Sequence, residues 1–328
     1  MLEVHLTSYL TRTARAAALV AAAAFATVAA VPIQAAAPMA KTQAPGYYRM
    51  TLGEFEITAL SDGTFGLPAD KLLKQPAEKT DAELAKSFLK PPVETSVNAY
   101  LINTGTKLVL IDTGTGGLSG PTTGVLLANL QAAGYKPEQI DEILITHMHT
   151  DHVGGLSLNG AAVFPNARVH IGKADADFWL SQANMDRAED ARKSTFQNAM
   201  KALQPYVAAR RLDPIEADGE IVPGIKSWST SGHTPGHTSY IVESQGQKLV
   251  VVGDVIHVAS VQFDDPTVTI AYDSDAKNAA MSRDIVFTQA AKDRTPIAAA
   301  HLQFPGMGYL KVNGKGWQFV PVNYMRMR

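Results

Sequence analysis

The chain contains no cysteine. That absence excludes a disulfide scaffold, a thiolate metal site and a cysteine nucleophile at once. A strong charge of either sign is missing as well. Twenty-nine Lys and Arg stand against 31 Asp and Glu, a formal −2, without the basic excess that a nucleic-acid partner favours, so none is expected. No Gly/Ser linker, short-period repeat or low-complexity tract divides residues 37–328, and a single domain is expected there. With 328 residues, 46% of them apolar, one large core is easily built.

Long apolar runs are confined to the N-terminus. Arg12 and Arg15 precede an alanine-rich, uncharged stretch over residues 16–31, and small residues follow at Ala35, Ala36 and Ala37. This is the pattern of an export signal over 1–36, and the stretch is short and weakly apolar for a spanning helix. The expectation is an exported, periplasmic protein with no stable membrane association once the signal is cut. A chain without cysteine has nothing to oxidise in that compartment.

Apolar patterning places strands at 47–54, 55–60, 96–103, 107–112 and 142–146, and again at 225–229, 238–243, 248–252 and 297–300. Helical rhythm covers 120–134, 174–182, 195–209 and 274–291, while 71–89 looks like an extended loop leading into one short helix. The alternation gives an α/β chain with mixed sheets.

Chemistry concentrates directly after the strand at 142–146. Thr146-His147-Met148-His149-Thr150-Asp151-His152-Val153-Gly154-Gly155 places three imidazoles and a carboxylate within six residues. On a tight loop, His147 and His149 share one direction, and Asp151 with His152 reaches a second point nearby. Imidazole and carboxylate are the ligands Zn²⁺ accepts when thiolate is absent, and Gly154 and Gly155 would let the backbone turn sharply. Gly232-His233-Thr234-Pro235-Gly236-His237, Val252-Gly253-Asp254 and Ala300-His301-Leu302 each adjoin a strand-like run. These strand ends can meet at one sheet edge, with enough donors for two ions sharing a carboxylate. His170, alone in Val169-His170-Ile171, is read as structural.

At these residues the chain resembles the metallo-β-lactamase fold superfamily, which implies an αββα sandwich of two mixed sheets with the metals at one edge. Ala44-Pro-Gly-Tyr-Tyr-Arg-Met50, Thr58-Ala-Leu-Ser-Asp-Gly63, Ala176-Asp-Phe-Trp-Leu-Ser181, Val261-Gln-Phe-Asp-Asp-Pro266 and Phe319-Val-Pro-Val-Asn-Tyr324 are similar to the methyl parathion hydrolase group of exported, dimeric, two-metal hydrolases. A homodimer is therefore expected. The resemblance implies that His147, His149 and His233 hold one Zn²⁺, that Asp151, His152 and His301 hold the other, and that Asp254 bridges them. His237 would then support a ligand from behind or be structural, and would not itself bind metal. Asp112 would either orient a ligand imidazole or cap a turn.

A hydroxide shared by two zinc ions at neutral pH would attack an ester carbonyl or a phosphorus, with Asp254 as the shared ligand and Asp151 or Tyr272 passing a proton to the leaving group. Candidate substrate-binding residues are Phe65, Leu67, Leu72, Ser119, Trp179, Phe196, His257 and Tyr272. By resemblance, Leu72 stands where the group carries an arginine, Ser119 where it carries phenylalanine, and His257 and Tyr272 where it carries leucines. The loop around 192–195 is one residue shorter. These departures narrow and polarise the pocket. The expected substrate is therefore an aryl ester or lactone of the dihydrocoumarin type, with secondary phosphotriester hydrolysis; the alternative is a dedicated methyl parathion-type organophosphate hydrolase.

Overall fold

The computed structural model describes residues 37–216 and 218–325; the expected export signal, 1–36, lies outside them. Contacts divide the chain into two units, Met1–Gln43 and Ala44–Arg328, and every strand and helix among the described residues lies in the second.

The first sheet is built from β1 (Tyr47–Leu52), β2 (Phe55–Leu67), β3 (Val93–Asn103), β4 (Leu108–Ile111) and β5 (Glu142–Ile145). A short hairpin, β6 (Ser157–Leu158) and β7 (Ala161–Ala162), interrupts it before β8 (Arg168–Gly172) and β9 (Leu212–Ile215) complete the order β1-β2-β3-β4-β5-β8-β9. The second sheet runs in chain order through β10 (Gly219–Val222), β11 (Ile225–Ser229), β12 (Thr238–Ser244), β13 (Gln247–Gly253), β14 (Ile297–Ala299), β15 (Met307–Asn313) and β16 (Gly316–Pro321). Both sheets are mixed. β4, β5, β8 and β9 run parallel in the first, and β13 and β14 in the second.

Alternation along the central strands explains the layering. Leu108 and Leu110 join one core with Ile143 and Ile145, and against it pack Leu126 and Leu130 of the helix Leu126–Ala132 and Phe196 and Leu203 of the helix Asp190–Ala208. Val109, Ile111 and Leu144 point the other way, onto Tyr240, Val242, Leu249 and Val251 of the second sheet. Val250 and Val252 then face outward to Val286 and Phe287 of the helix Ala276–Asp293. A continuous apolar run is what a strand covered on both faces requires, and each fully buried Leu, Ile or Val contributes about 1.5–3 kcal/mol. The result is helix on sheet on sheet on helix, the expected αββα order.

Several elements differ from the sequence expectation. β2 does not stop at residue 60. Gly63, at φ 111, sits in a bulge between Ser61 and Gly63, and pairing with β3 resumes through Leu67, so Asp62-Gly63 bends the strand without ending it. Segment 71–89 does lead into one helix, Ala77–Lys86, as expected, but a single helical turn at Ala69–Leu72 precedes it. Residues 192–195, taken as loop, are the first turns of the helix Asp190–Ala208. Among the described residues no helix is long and apolar enough to cross a membrane.

Candidate active site

The parallel strands deliver their carboxyl ends to one place. β4 leads into Asp112, β5 into Thr146 and the histidine loop, β13 into Asp254 and β14 toward His301, while the turn between β11 and β12 carries His233 and His237. Gly154 and Gly155 serve this loop differently from the expectation. Neither has a positive φ; a Cβ on either would lie 2.2 Å from Thr115 O or 2.0 Å from Thr113 O. They are glycines because the histidine loop packs directly on the backbone after β4. Gly253 does need its conformation: at φ 54 it turns the chain into Asp254, where a Cβ would meet His237 Nε2 at 2.8 Å.

Side chains converge in two donor groups. His147, His149, His233 and Asp254 present ligand atoms within 4.8 Å of one another, and so do Asp151, His152 and His301. Asp254 faces both: its Oδ2 lies 3.6 Å from His147 Nε2, 3.4 Å from His233 Nε2 and 3.2 Å from His301 Nε2, and its Oδ1 lies 3.3 Å from His152 Nε2. Asp151 Oδ2 is 3.4 Å from His301 Nε2. The donors fit two Zn²⁺. His147 Nε2 and His233 Nε2 stand 3.1 Å and 3.0 Å from His149 Nδ1, and buried His152 Nε2 and Asp254 Oδ1 have no hydrogen-bond partner among the described residues. Burial first, and the neighbouring imidazoles second, hold His147 and His149 well below the usual histidine range, as neutral imidazoles. Burial alone would raise Asp254, but His301, His152 and His257 outweigh it and keep a carboxylate. Neutral imidazole and carboxylate are the forms a metal binds; against burial, Asp254 holds His152, His233 and His301 above the usual histidine range, so a metal would displace their protons.

Three of the donor rings, His152, His301 and His233, are held from behind. His152 Nδ1 donates to Asp112 Oδ2 at 2.9 Å, and Asp112 also accepts from Thr146 N and Oγ1 at 2.8 Å each. Asp112 thus orients an imidazole and ties down the loop in one stroke. His301 Nδ1 donates to Ser96 O at 2.9 Å. His237 lies in neither donor group: its Nε2 accepts from the backbone N–H of Asp254 at 3.0 Å, and its Nδ1 faces Thr230 Oγ1 at 2.8 Å. Asp273 was missed by sequence reasoning. It is buried, and its Oδ1 takes the Nδ1 proton of His233 at 2.9 Å; a lone aspartate after Tyr272 gives no local signal of that role. Asp273→Asn is expected to weaken zinc binding about 10–100-fold, read by competition with a colorimetric chelator.

A cavity of about 480 Å³ opens over the donors, and Phe65, Leu67, Ser119, Trp179, His257 and Tyr272 line it with His149, Asp151, Asp254 and His301. Two expected wall residues stand elsewhere. Leu72 packs with the cluster around Leu67 and Leu73, and its carbonyl accepts from Ala271 N at 2.9 Å, so it braces the segment carrying Tyr272. Phe196 is buried behind Trp179, ring centroids 4.6 Å apart. His257 is more than wall: its Nε2 lies 3.1 Å from Asp254 Oδ2, and it forms a further possible donor group with Asp254 and His301.

The sequence profile of the metallo-beta-lactamase superfamily matches residues 92–301, a span that holds every one of these donors. The chain belongs to that superfamily. Among superfamily members of known structure, the hydrolase AbOPH is 39% identical, with a TM-score of 0.82 over 87% of this chain and 100% of its own. AidC, a dizinc quorum-quenching lactonase solved with N-hexanoyl-L-homoserine, is 30% identical, with a TM-score of 0.75 over 86% and 99%. An N-acyl homoserine lactonase of Bacillus cereus is 30% identical over 154 residues, 47% of this chain and 53% of that protein. The chain spans about half the length of the curated relatives it matches.

Proposed function

We propose that this superfamily member is a two-zinc hydrolase of lactones and aryl esters, with aryl lactones of the dihydrocoumarin type as preferred substrates. The observation that carries the reading is the placement of the donor set in a cavity whose lining includes Trp179, Phe65 and Tyr272. An aryl ring is gripped well by such a wall. The dizinc lactonase AidC and the homoserine lactonases, similar in sequence, support the carbonyl chemistry. Zinc at this site would activate water and neutralise charge on the carbonyl oxygen.

The chain's own groups do the rest. His147, His149 and His233 would hold one ion, Asp151, His152 and His301 the other, and Asp254 both. Tyr272 keeps its phenolic proton, since burial and the nearby charge of Asp151 raise it above the usual tyrosine range. Either Tyr272 Oη or Asp151 can return a proton to an alkoxide leaving group; a phenolate, with a pKa near ~10, leaves without one. His257 and Tyr272 polarise and narrow the side on which a dialkyl thiophosphate would sit.

The test is a rate panel on zinc-loaded protein comparing dihydrocoumarin, phenyl acetate, a homoserine lactone and methyl parathion. Dihydrocoumarin is expected to exceed methyl parathion in kcat/KM by about tenfold or more, a difference of ~1.4 kcal/mol. A faster phosphotriester would instead make the protein an organophosphate hydrolase.

A further inference from the structure

A second cavity, of about 490 Å³, lies beside the first and shares Glu189, Arg192 and Ala271 with it. Its apolar lining includes Phe178, Ala188 and Ala271, with the buried Phe196 ring behind, 5.3 Å from that of Phe178. Arg192, in the first turn of the helix Asp190–Ala208, is half-buried and stands on the shared wall. From this geometry we infer that the substrate is bipartite, with its ester or lactone over the metal donors and a carboxylate-bearing tail in the second cavity, received by Arg192. The inference rests on the hydrolase reading and adds the chemical class of the substrate's far end.

The argument is one of unmatched charge. A guanidinium cannot discharge by losing its proton, and withdrawing it from water without an anion is costly. Yet Arg192 makes no ion pair or side-chain hydrogen bond among the described residues. Neighbouring cations are engaged. Arg187, also on this wall, donates to Ala183 O at 3.0 Å and Asn184 Oδ1 at 3.1 Å, and Lys193 pairs with Asp190 at 2.7 Å. Of the acidic groups on this wall, Asp273 is taken by His233 Nδ1 and Ile270 N. Glu189 is exposed, three residues before Arg192, and makes no ion pair among the described residues. Arg192 therefore offers a planar two-pronged donor that matches a carboxylate, with the part-exposed Phe178 beside it for the intervening methylenes.

Two substrates that differ only in the tail test this on the zinc-loaded full chain: phenyl hexanoate and the monophenyl ester of adipic acid. A charge-assisted hydrogen-bonded pair is worth about 1.5–3 kcal/mol, or about 10–100-fold, so wild type is expected to favour the carboxylated ester by that factor, mainly through KM. Arg192→Gln should cut the preference to about onefold, Glu189→Gln should raise it, and added salt should weaken it. Equal kcat/KM on the two esters in wild type, or an unchanged ratio in Arg192→Gln, overturns the inference. Turnover of phenyl hexanoate reports separately on the hydrolase reading, and if neither ester is cleaved, both readings fall.

Discussion

Asp254→Ala is expected to lower turnover of an aryl lactone by about three orders of magnitude and to reduce bound zinc from two ions per chain toward one. The side chain is buried, and its two oxygens face imidazoles of both donor groups, His152 at 3.3 Å from Oδ1 and His233 and His301 at 3.4 Å and 3.2 Å from Oδ2. No other carboxylate on the floor of the cavity can take its place. Asp151 lies with His152 and His301, Asp112 is committed to His152 and Thr146, and Asp273 to His233. Loss of a charge-stabilising contact of several kcal/mol gives the expected rate change at ~1.4 kcal/mol per tenfold. The checks are metal content by elemental analysis and kcat/KM on dihydrocoumarin, with circular dichroism to show that the variant is folded. Full activity with two zinc ions bound would remove the shared carboxylate from the mechanism.

The donors themselves were legible in the sequence because the chemistry is dense and local: three imidazoles and a carboxylate in six residues announce a site before any fold is known. Asp254 and His301 were legible because each follows a strand-like run. What supports them was not. Asp273 and Ser96 act through spatial neighbours 40 and 205 residues away, and no local pattern marks a carboxylate or a carbonyl that will face a distant imidazole. His257 was read as pocket wall, since only the fold shows that three residues past Asp254 the chain curls back on it.

The same contrast holds for the scaffold. Central strands such as Leu108–Ile111 declared themselves by continuous apolar runs. The edge hairpin Met307–Asn313 and Gly316–Pro321 was passed over, because exposed Lys311 and Gln318 break up its apolar pattern. β8 carries little strand signal because His170 sits between Val169 and Ile171. In the fold that imidazole reaches Glu142 Oε2 at 2.9 Å across the parallel pair, a satisfied structural histidine.

The other large effect is expected at a residue that holds no metal. Asp175, wholly buried in the helix Lys173–Trp179, accepts from Gly236 N at 2.6 Å through Oδ1, and from Thr234 Oγ1 at 2.8 Å and Met148 N at 3.1 Å through Oδ2. Met148 lies between His147 and His149, and Thr234 follows His233, so one carboxylate pins together the two loops that carry the first donor group. Asp175→Asn keeps the volume but turns an amide N–H₂ toward at least one buried donor, which costs about 1–3 kcal/mol. Zinc affinity is expected to fall about 10–100-fold, as for other residues that orient ligands. Burial, opposed by the bonds from Gly236, Thr234 and Met148, pushes the Asp175 carboxyl up to about 6. Because the folded-state value is raised, the stability this group contributes is full below the ordinary value of 3.8 and is lost as pH rises through about 6. The margin of wild type over Asp175→Asn in urea melts of the metal-free proteins should therefore narrow between pH 5 and pH 8. A margin that is flat with pH, together with unchanged zinc affinity, would mean that the two loops hold their geometry without this carboxylate.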